Sequence, residues 1–202
     1  NRLLAHLDSL QPARTCPMTE KEREIVRDWF LLTTKPVIYA CNIKEDDLGR
    51  DESELEGVDE VKAIAAEENA KVLVISAKIE EDIAQMDEDE KAMFLEELGI
   101  GKSGLDRLIA EGYDLLGLIS FLTAGEDECR AWTIVNGTKA PQAAGKIHTD
   151  FEKGFIRAEI VPFDTLVELG SMAACKEKGL VRSEGKEYVM KDGDVTLFRF
   201  NV

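Results

Sequence analysis

Apolar and polar positions along this chain fall into two textures. Over residues 1–117 the apolar residues recur mostly at helical spacing, interrupted by two continuous apolar runs. From Ile119 onward, short alternating stretches and frequent glycine take over. Leu3, Leu4, Leu7 and Leu10, three and four apart, predict one face of a helix, which reads as the end of a longer one. Thr19 with Glu22 three residues later is a capping box and predicts a helix through Phe30, with Ile25, Val26, Trp29, Phe30 and Leu32 as its core face. Residues 37–45, V-I-Y-A-C-N-I-K-E, follow Pro36 and predict a strand buried on both faces of a parallel sheet. An Ala-rich helix over 58–69 and a second apolar run, K-V-L-V-I at 71–75, complete a strand, helix, strand pattern, the βαβ unit.

Residues 87–98 predict a very acidic helix. Residues 105–118 predict another, with Leu105, Leu108, Ile109, Tyr113, Leu115 and Leu116 apolar. Residues 118–123 and 130–135 read as a strand pair across a Gly125-Glu126-Asp127 turn. A short helix at 140–147, a strand at 155–161 and two helical segments at 163–169 and 171–178 follow. Residues 188–190 and 195–200 predict a hairpin around Lys191-Asp192-Gly193-Asp194, because Asp-Gly is a strong hairpin signal. The expected architecture is an α/β part followed by a compact α+β domain, with the boundary near Gly117.

Composition narrows the function. The formal net charge of −16 argues against wholesale wrapping of nucleic acid. The acid excess lies in residues 1–125, with 28 acids against 14 bases, whereas residues 126–202 carry 13 against 11. Only the last part is therefore free to offer a basic face to a polyanion. No apolar run approaches the roughly 20 residues of a membrane-crossing helix. The opening residues are too polar for a secretory leader, and with no starting Met they read as the start of a fragment. Cys16, Cys41, Cys129 and Cys175 are widely spaced in no metal-ligand pattern and read as reduced thiols.

In open α/β sheets ligands gather at the carboxyl ends of the strands, which puts Asn42, Ile43, Lys44 and Glu45 where a ligand is expected. An ordinary strand-to-helix loop is the other reading of the same residues. Ser76, Ala77 and Lys78 end the second strand at the same sheet edge. The nine acids of residues 45–60 lack the spacing of a calcium loop and read as a solvated segment. Gly101-Lys102-Ser103 invites a phosphate-loop reading, but the required earlier glycine falls at Glu96, inside a predicted helix. His148 has no nucleophile and acid at triad spacing and reads as structural. No catalytic residue and no metal site emerge.

The run from Arg130 to Glu159, with Trp132, Gly137, Lys139, Pro141, Gly145, Lys146, His148, Asp150, Phe151, Glu152, Lys153, Gly154, Phe155 and Arg157, together with Asp192-Gly193-Asp194 before Phe198 and Phe200, closely resembles the C-terminal TGS domain of the YchF family, the Obg-like ATPases. Residues 33–42, T-T-K-P-V-I-Y-A-C-N, resemble that family's strand into its base-reading loop. The leucine-bearing opening helix resembles the end of its inserted helical domain. The resemblance covers essentially the whole chain. It implies the end of a helical insertion over 1–33, the C-terminal part of a P-loop NTPase domain over 34–117, and an α+β ubiquitin-like β-grasp, the TGS domain, over 118–202.

The resemblance implies that Asn42 bonds the N6/N7 edge of a purine, that Ile43 packs on its face, and that Ser76-Ala77-Lys78 closes the other side. The Asn-x-x-Glu form at 42–45 replaces the guanine-reading Asn-Lys-x-Asp. Its longer acid, against an adenine that offers no hydrogen at N1, implies relaxed guanine selectivity. ATP or GTP with Mg²⁺ would serve the whole protein, with none tightly bound to this chain, because the phosphate-cradling loop of such proteins is not found in its sequence. A cytoplasmic protein and a ribosome or ribosomal RNA partner are further implications, without a membrane or DNA specificity. Lys139, Lys146, Lys153 and Arg157, near one another in sequence, are the candidate RNA contacts, and an exposed Trp132 or Phe155 could stack on a base. The other reading puts the aromatics in the β-grasp core and pairs the basic side chains with Asp150, Glu152 and Glu159.

Overall fold

Local sequence chemistry sets most of the element boundaries in the computed structural model, which describes residues 1–125 and 128–201. The chain folds as two compact units, Asn1–Leu115 and Leu116–Val202.

In the first unit α1 (Arg2–Asp8) is followed by a 3₁₀ turn at Ala13–Thr15 and α2 (Glu20–Arg27). The Thr19–Glu22 capping box is formed as expected: the Thr19 hydroxyl accepts from the Glu22 N–H, and the Glu22 carboxylate accepts from the Thr19 N–H at 2.7 Å. After a second 3₁₀ turn at Leu32–Thr34 come β1 (Ile38–Asn42), α3 (Val58–Glu68) and β2 (Lys71–Ile75). β1 and β2 pair in parallel, with Asn42 opposite Ile75, as the strand, helix, strand pattern predicts. α3 ends where Asn69 adopts φ 52°, the left-handed turn asparagine tolerates. α4 (Ala77–Ile83), α5 (Glu88–Glu97) and α6 (Gly104–Leu115) complete the unit. Leu55, Val58 and Val74 form one small core, and Ile79, Ile83 and Leu95 another.

Three expectations for this unit change. β1 is not buried on both faces: among the described residues it pairs with β2 alone, and Ala40 and Asn42 are exposed. α2 stops at Arg27, and of its supposed core face only Val26 is buried, while Phe30 is 88 % exposed. α6 stops at Leu115, and Leu105, Leu108 and Ile109 face outward. Helical spacing reports which side of a helix is apolar, and something else must cover that side for it to become core.

The second unit is a five-stranded mixed sheet in the order β4-β3-β7-β5-β6, formed by β3 (Leu118–Ala124), β4 (Cys129–Val135), β5 (Phe155–Pro162), β6 (Arg182–Glu184) and β7 (Asp194–Phe200). β3 and β7 are parallel, and the other neighbours are antiparallel. The helices are α7 (Ala140–Ile147), α8 (Thr149–Lys153), α9 (Phe163–Leu169) and α10 (Met172–Glu177). Ala140, Ala143 and Ala144 of α7 are fully buried against Phe121, Ile160 and Phe198; small side chains let the helix lie close to the sheet. Val161, Cys175 and Val195 form a second core with Leu166, Leu169 and Met172 of α9 and α10.

The hairpin expected around Asp192-Gly193 is not formed. The turn exists, closed by the Asp194 carboxylate accepting from the Lys191 N–H at 2.9 Å, with Gly193 at φ 75°. The segment before it bonds instead to the start of α7, through Ala140 N–H to Tyr188 O at 2.8 Å and Met190 N–H to Thr138 O at 2.9 Å. β7 is thereby left free to enter the sheet between β3 and β5. The strand pair β3–β4 is present; Glu126 and Asp127 of its expected turn lie outside the described residues.

Candidate functional site

Two loops meet at the carboxyl ends of β1 and β2. Because the strands are parallel and Asn42 stands opposite Ile75, residues 42–45 and 76–78 leave the sheet at the same edge. The Ile43 N–H donates to Ile75 O at 2.8 Å, carrying the pairing one step past the strand. The Asn42 side-chain oxygen then accepts from the Ala77 N–H at 2.9 Å. Asn42 is exposed, and its side-chain NH₂ remains available to a ligand.

The other members divide by environment. Ser76 is 1 % exposed, and its Oγ is a buried polar atom with no partner, a group that costs free energy unless something bonds it. Lys44 and Glu45 are exposed, with Glu45 opening a single 3₁₀ turn over Glu45–Asp47. Lys78 is held by Asp82 at 3.0 Å and Glu81 at 3.3 Å, which raise its pKa. Ile43 is half-buried: its side chain packs on Leu55, Val58 and Val74 and also borders the cavity beside the strand ends.

Residues that carry no sequence signal hold this edge in place. The Glu80 carboxylate reaches the start of α6, accepting from the Gly104 N–H at 2.7 Å and the Leu105 N–H at 3.0 Å. Arg107 donates to the Val74 carbonyl. A cavity of about 250 Å³ lies beside the strand ends, with Ile43, Ser76, Glu80, Lys102 and Arg107 in its wall. Nothing local marks Glu80 as a cap, because it acts on a helix 24 residues away rather than its own. Among the described residues no three His, Cys, Asp or Glu side chains gather as a metal site.

The candidate RNA-binding residues differ in their partners. Lys139 pairs with Glu187 at 2.6 Å, and Lys146 and Lys153 are exposed on α7 and α8. Arg157 belongs to a different group. It, Lys176 and Arg199 converge on Glu159, with N···O distances of 3.2, 3.3 and 3.1 Å. Glu159 is 8 % exposed, and hydrogen bonding by Arg199 first, against the effect of burial, pulls its pKa down to about 2. Three cations on one carboxylate leave a local positive excess. Lys176 and Arg199 join Arg157 only through the tertiary fold, in which the β5–β7 register sets Arg157 opposite Arg199, and proximity in sequence could not reveal them.

Phe155 is 5 % exposed and belongs to the core, so it is unavailable for stacking on a base. Trp132 lies beside Phe121, donates from Nε1 to Thr123 at 2.9 Å and carries the Arg130 guanidinium over its ring. The His148 Nδ1 accepts from the Asp150 N–H at 3.2 Å and caps α8, the structural role its sequence context suggests.

Comparison with known proteins places these residues among relatives. A family model, YchF-GTPase_C, described as a protein of unknown function (DUF933), matches residues 118–201. The chain is 52 % identical over 202 residues to the ribosome-binding ATPase YchF of Bacillus subtilis (strain 168), covering all of this chain and 55 % of that protein. It is 43 % identical over 197 residues to the Obg-like ATPase 1 of Caenorhabditis elegans, covering 96 % of this chain and 49 % of the relative. The structure of the Schizosaccharomyces pombe YchF GTPase superposes with a TM-score of 0.82 at 39 % identity, over 95 % of this chain and 50 % of that one. The chain thus spans about half the length of the curated relatives it matches.

Proposed function

Since the chain belongs to the YchF family, we propose that residues 34–117 carry the base-reading part of a purine nucleotide site in a ribosome-associated ATP/GTP hydrolase. The hydrogen bond from the Ala77 N–H to the Asn42 side-chain oxygen carries this reading. It ties the two loops together at the sheet edge where α/β folds bind ligands. With its oxygen so engaged, the Asn42 amide nitrogen offers its hydrogens to N7 of a purine, and the buried Ser76 hydroxyl supplies an unsatisfied group at the same edge. Glu45 is the acid that answers the base. A carboxylate tuned to the N1 and N2 hydrogens of guanine loses its partners on adenine, and its placement one methylene further out weakens the guanine preference.

The residues present fit the base and not the phosphates. Gly101-Lys102-Ser103 lacks the first glycine of a phosphate loop, and the described residues gather no carboxylate set for Mg²⁺. In this reading ATP or GTP with Mg²⁺ serves the whole protein, and the 202-residue chain by itself hydrolyses neither nucleotide. Residues 118–202 act as a TGS module of the ubiquitin-like β-grasp type that contacts ribosomal RNA; the mixed sheet crossed by α7 supports that assignment. Its phosphate contacts centre on Arg157, Lys176 and Arg199. Ribosome association entails a cytoplasmic protein, and no helix among the described residues is long and apolar enough to cross a membrane.

The test is Glu45→Asp in a protein extended to the length of the relatives. The ratio of ATP to GTP affinity, read by calorimetry, should move toward GTP. An unchanged ratio would remove Glu45 from the base site. A second reading, a binding module without nucleotide dependence, is favoured by the cation group on Glu159; ribosome co-sedimentation that ignores added nucleotide but falls steeply with salt would select it.

A further inference from the structure

A second cavity, of about 540 Å³, lies in the first unit at the opposite end of the parallel strands. Lys35, just before β1, and Asn69, at the end of α3, border it, whereas Asn42 and Ser76 stand where the strands finish. Four cations, Arg14, Arg23, Arg27 and Lys35, line the cavity, and no Asp or Glu does, in a chain of net charge −16. Its apolar wall is made by Met18, Val26, Phe30 and Leu31.

Several features of this cavity lack an internal explanation. Arg23 and Arg27 stand one helical turn apart on α2, where like charges repel. Neither they nor Lys35 make an ion pair among the described residues. Arg14 has a carboxylate partner, Glu68 at 2.5 Å, which also accepts from the Tyr39 hydroxyl at 2.7 Å. Even so, the buried Nε of Arg14 has no partner. Phe30 adopts φ 51°, a left-handed backbone that costs a non-glycine residue energy.

We propose that this cavity binds a small organic phosphate, its phosphate held by Arg23, Arg27 and Lys35 and its planar or aliphatic body resting on Met18, Val26, Phe30 and Leu31. Arginine forks match phosphate oxygens in pairs. A phosphate monoester carries close to two charges near neutral pH, which suits three unpaired cations better than a single carboxylate does. The volume falls within the roughly 300–1,000 Å³ of small-molecule sites. An extended polyanion would reach beyond these cations to the rest of a chain of net charge −16, and that repulsion favours a compact ligand over RNA or an acidic peptide. The proposal stands apart from the purine reading of Asn42 and Glu45.

The experiment is titration of the ¹⁵N-labelled chain with adenosine monophosphate, inorganic phosphate, adenosine, an oligouridylate and a Glu-rich peptide, each in turn. Adenosine monophosphate should perturb amides of residues 13–35 and of Asn69, and adenosine should not. The double substitution Arg23→Glu with Arg27→Glu should weaken binding by about tenfold or more, as loss of charge-assisted hydrogen bonds does. Arg23→Gln with Arg27→Gln, which retains good helix formers on α2, should act in the same direction. Lys21→Glu, on the same helix but outside the cavity wall, should leave affinity unchanged and so separates a local contact from the effect of net charge. Shifts confined to residues 42–45 and 76–78 would overturn the proposal and place the ligand at the base site. Equal affinity in the arginine variants would overturn it, as would binding of only an oligouridylate or a Glu-rich peptide.

Discussion

The side-chain oxygen of Asn42 accepts a hydrogen bond from the Ala77 backbone N–H at 2.9 Å, so one amide sets the spacing of two loops that are 35 residues apart. Ala77 opens α4, whose first N–H groups have no partner within the helix. Asn42→Ala should cost about 1 kcal/mol of stability and speed hydrogen exchange at the Ala77 amide. Exchange measured by NMR on both proteins checks this; equal protection at Ala77 would mean that water replaces the side chain without loss.

Glu80 should matter to stability although it lies outside the loops at 42–45 and 76–78. Its two oxygens accept from the Gly104 and Leu105 N–H groups, and Glu80→Ala should cost about 1–2 kcal/mol. Gly104→Ala should be costly as well, because a Cβ there would come within 2.8 Å of Glu80 Oε1 and Ile75 Cγ2. Urea denaturation of the chain reports both.

The carboxylate of Glu159 links stability to pH. Its pKa is depressed to about 2 from an ordinary 4.5, chiefly through Arg199. A group depressed on folding stabilises fully above its unfolded pKa, and that contribution fades as the pH falls through the folded value. Thermal midpoints should therefore fall between about pH 4.5 and 2, by more than in Glu159→Gln. At neutral pH the variant should be less stable by about 2 kcal/mol, since three cations lose their common partner. Midpoints of the two proteins that fail to converge at low pH would count against Glu159 as the source.

Gly154 should tolerate no side chain. A Cβ there would collide with the backbone carbonyl of Asn201, whose own N–H donates to Gly154 O at 2.9 Å. Backbone cannot swing aside as a side-chain tip can, so Gly154→Ala should destabilise by about 2 kcal/mol or more. Thermal denaturation checks it.

What is legible in the sequence is local. The Thr19–Glu22 box, the Ala140–Ile147 helix and the parallel pair of apolar runs are written in spacings of a few residues, and each forms. Ile25, Trp29, Phe30 and Leu32 read as core and lie exposed, because periodicity identifies a face without identifying what covers it. The Asp192-Gly193 turn is recognisable and its strand pairing is not, because β7 takes its partners from β3 and β5, far away in the chain. The loops at 42–45 and 76–78, proposed to read a base, stand out through their residue types. Glu80 and the Arg157, Lys176 and Arg199 group depend on long-range register and packing, which no local pattern encodes.

β1 has a consequence for handling the chain in solution. Only one of its edges is paired among the described residues, and the other presents backbone N–H and C=O groups beside an apolar I-Y-A-C sequence. Such an edge is a template for strand addition between molecules. Self-association should therefore rise with concentration, and a lysine or proline set at this edge should restore a monodisperse solution before any change is made to the core.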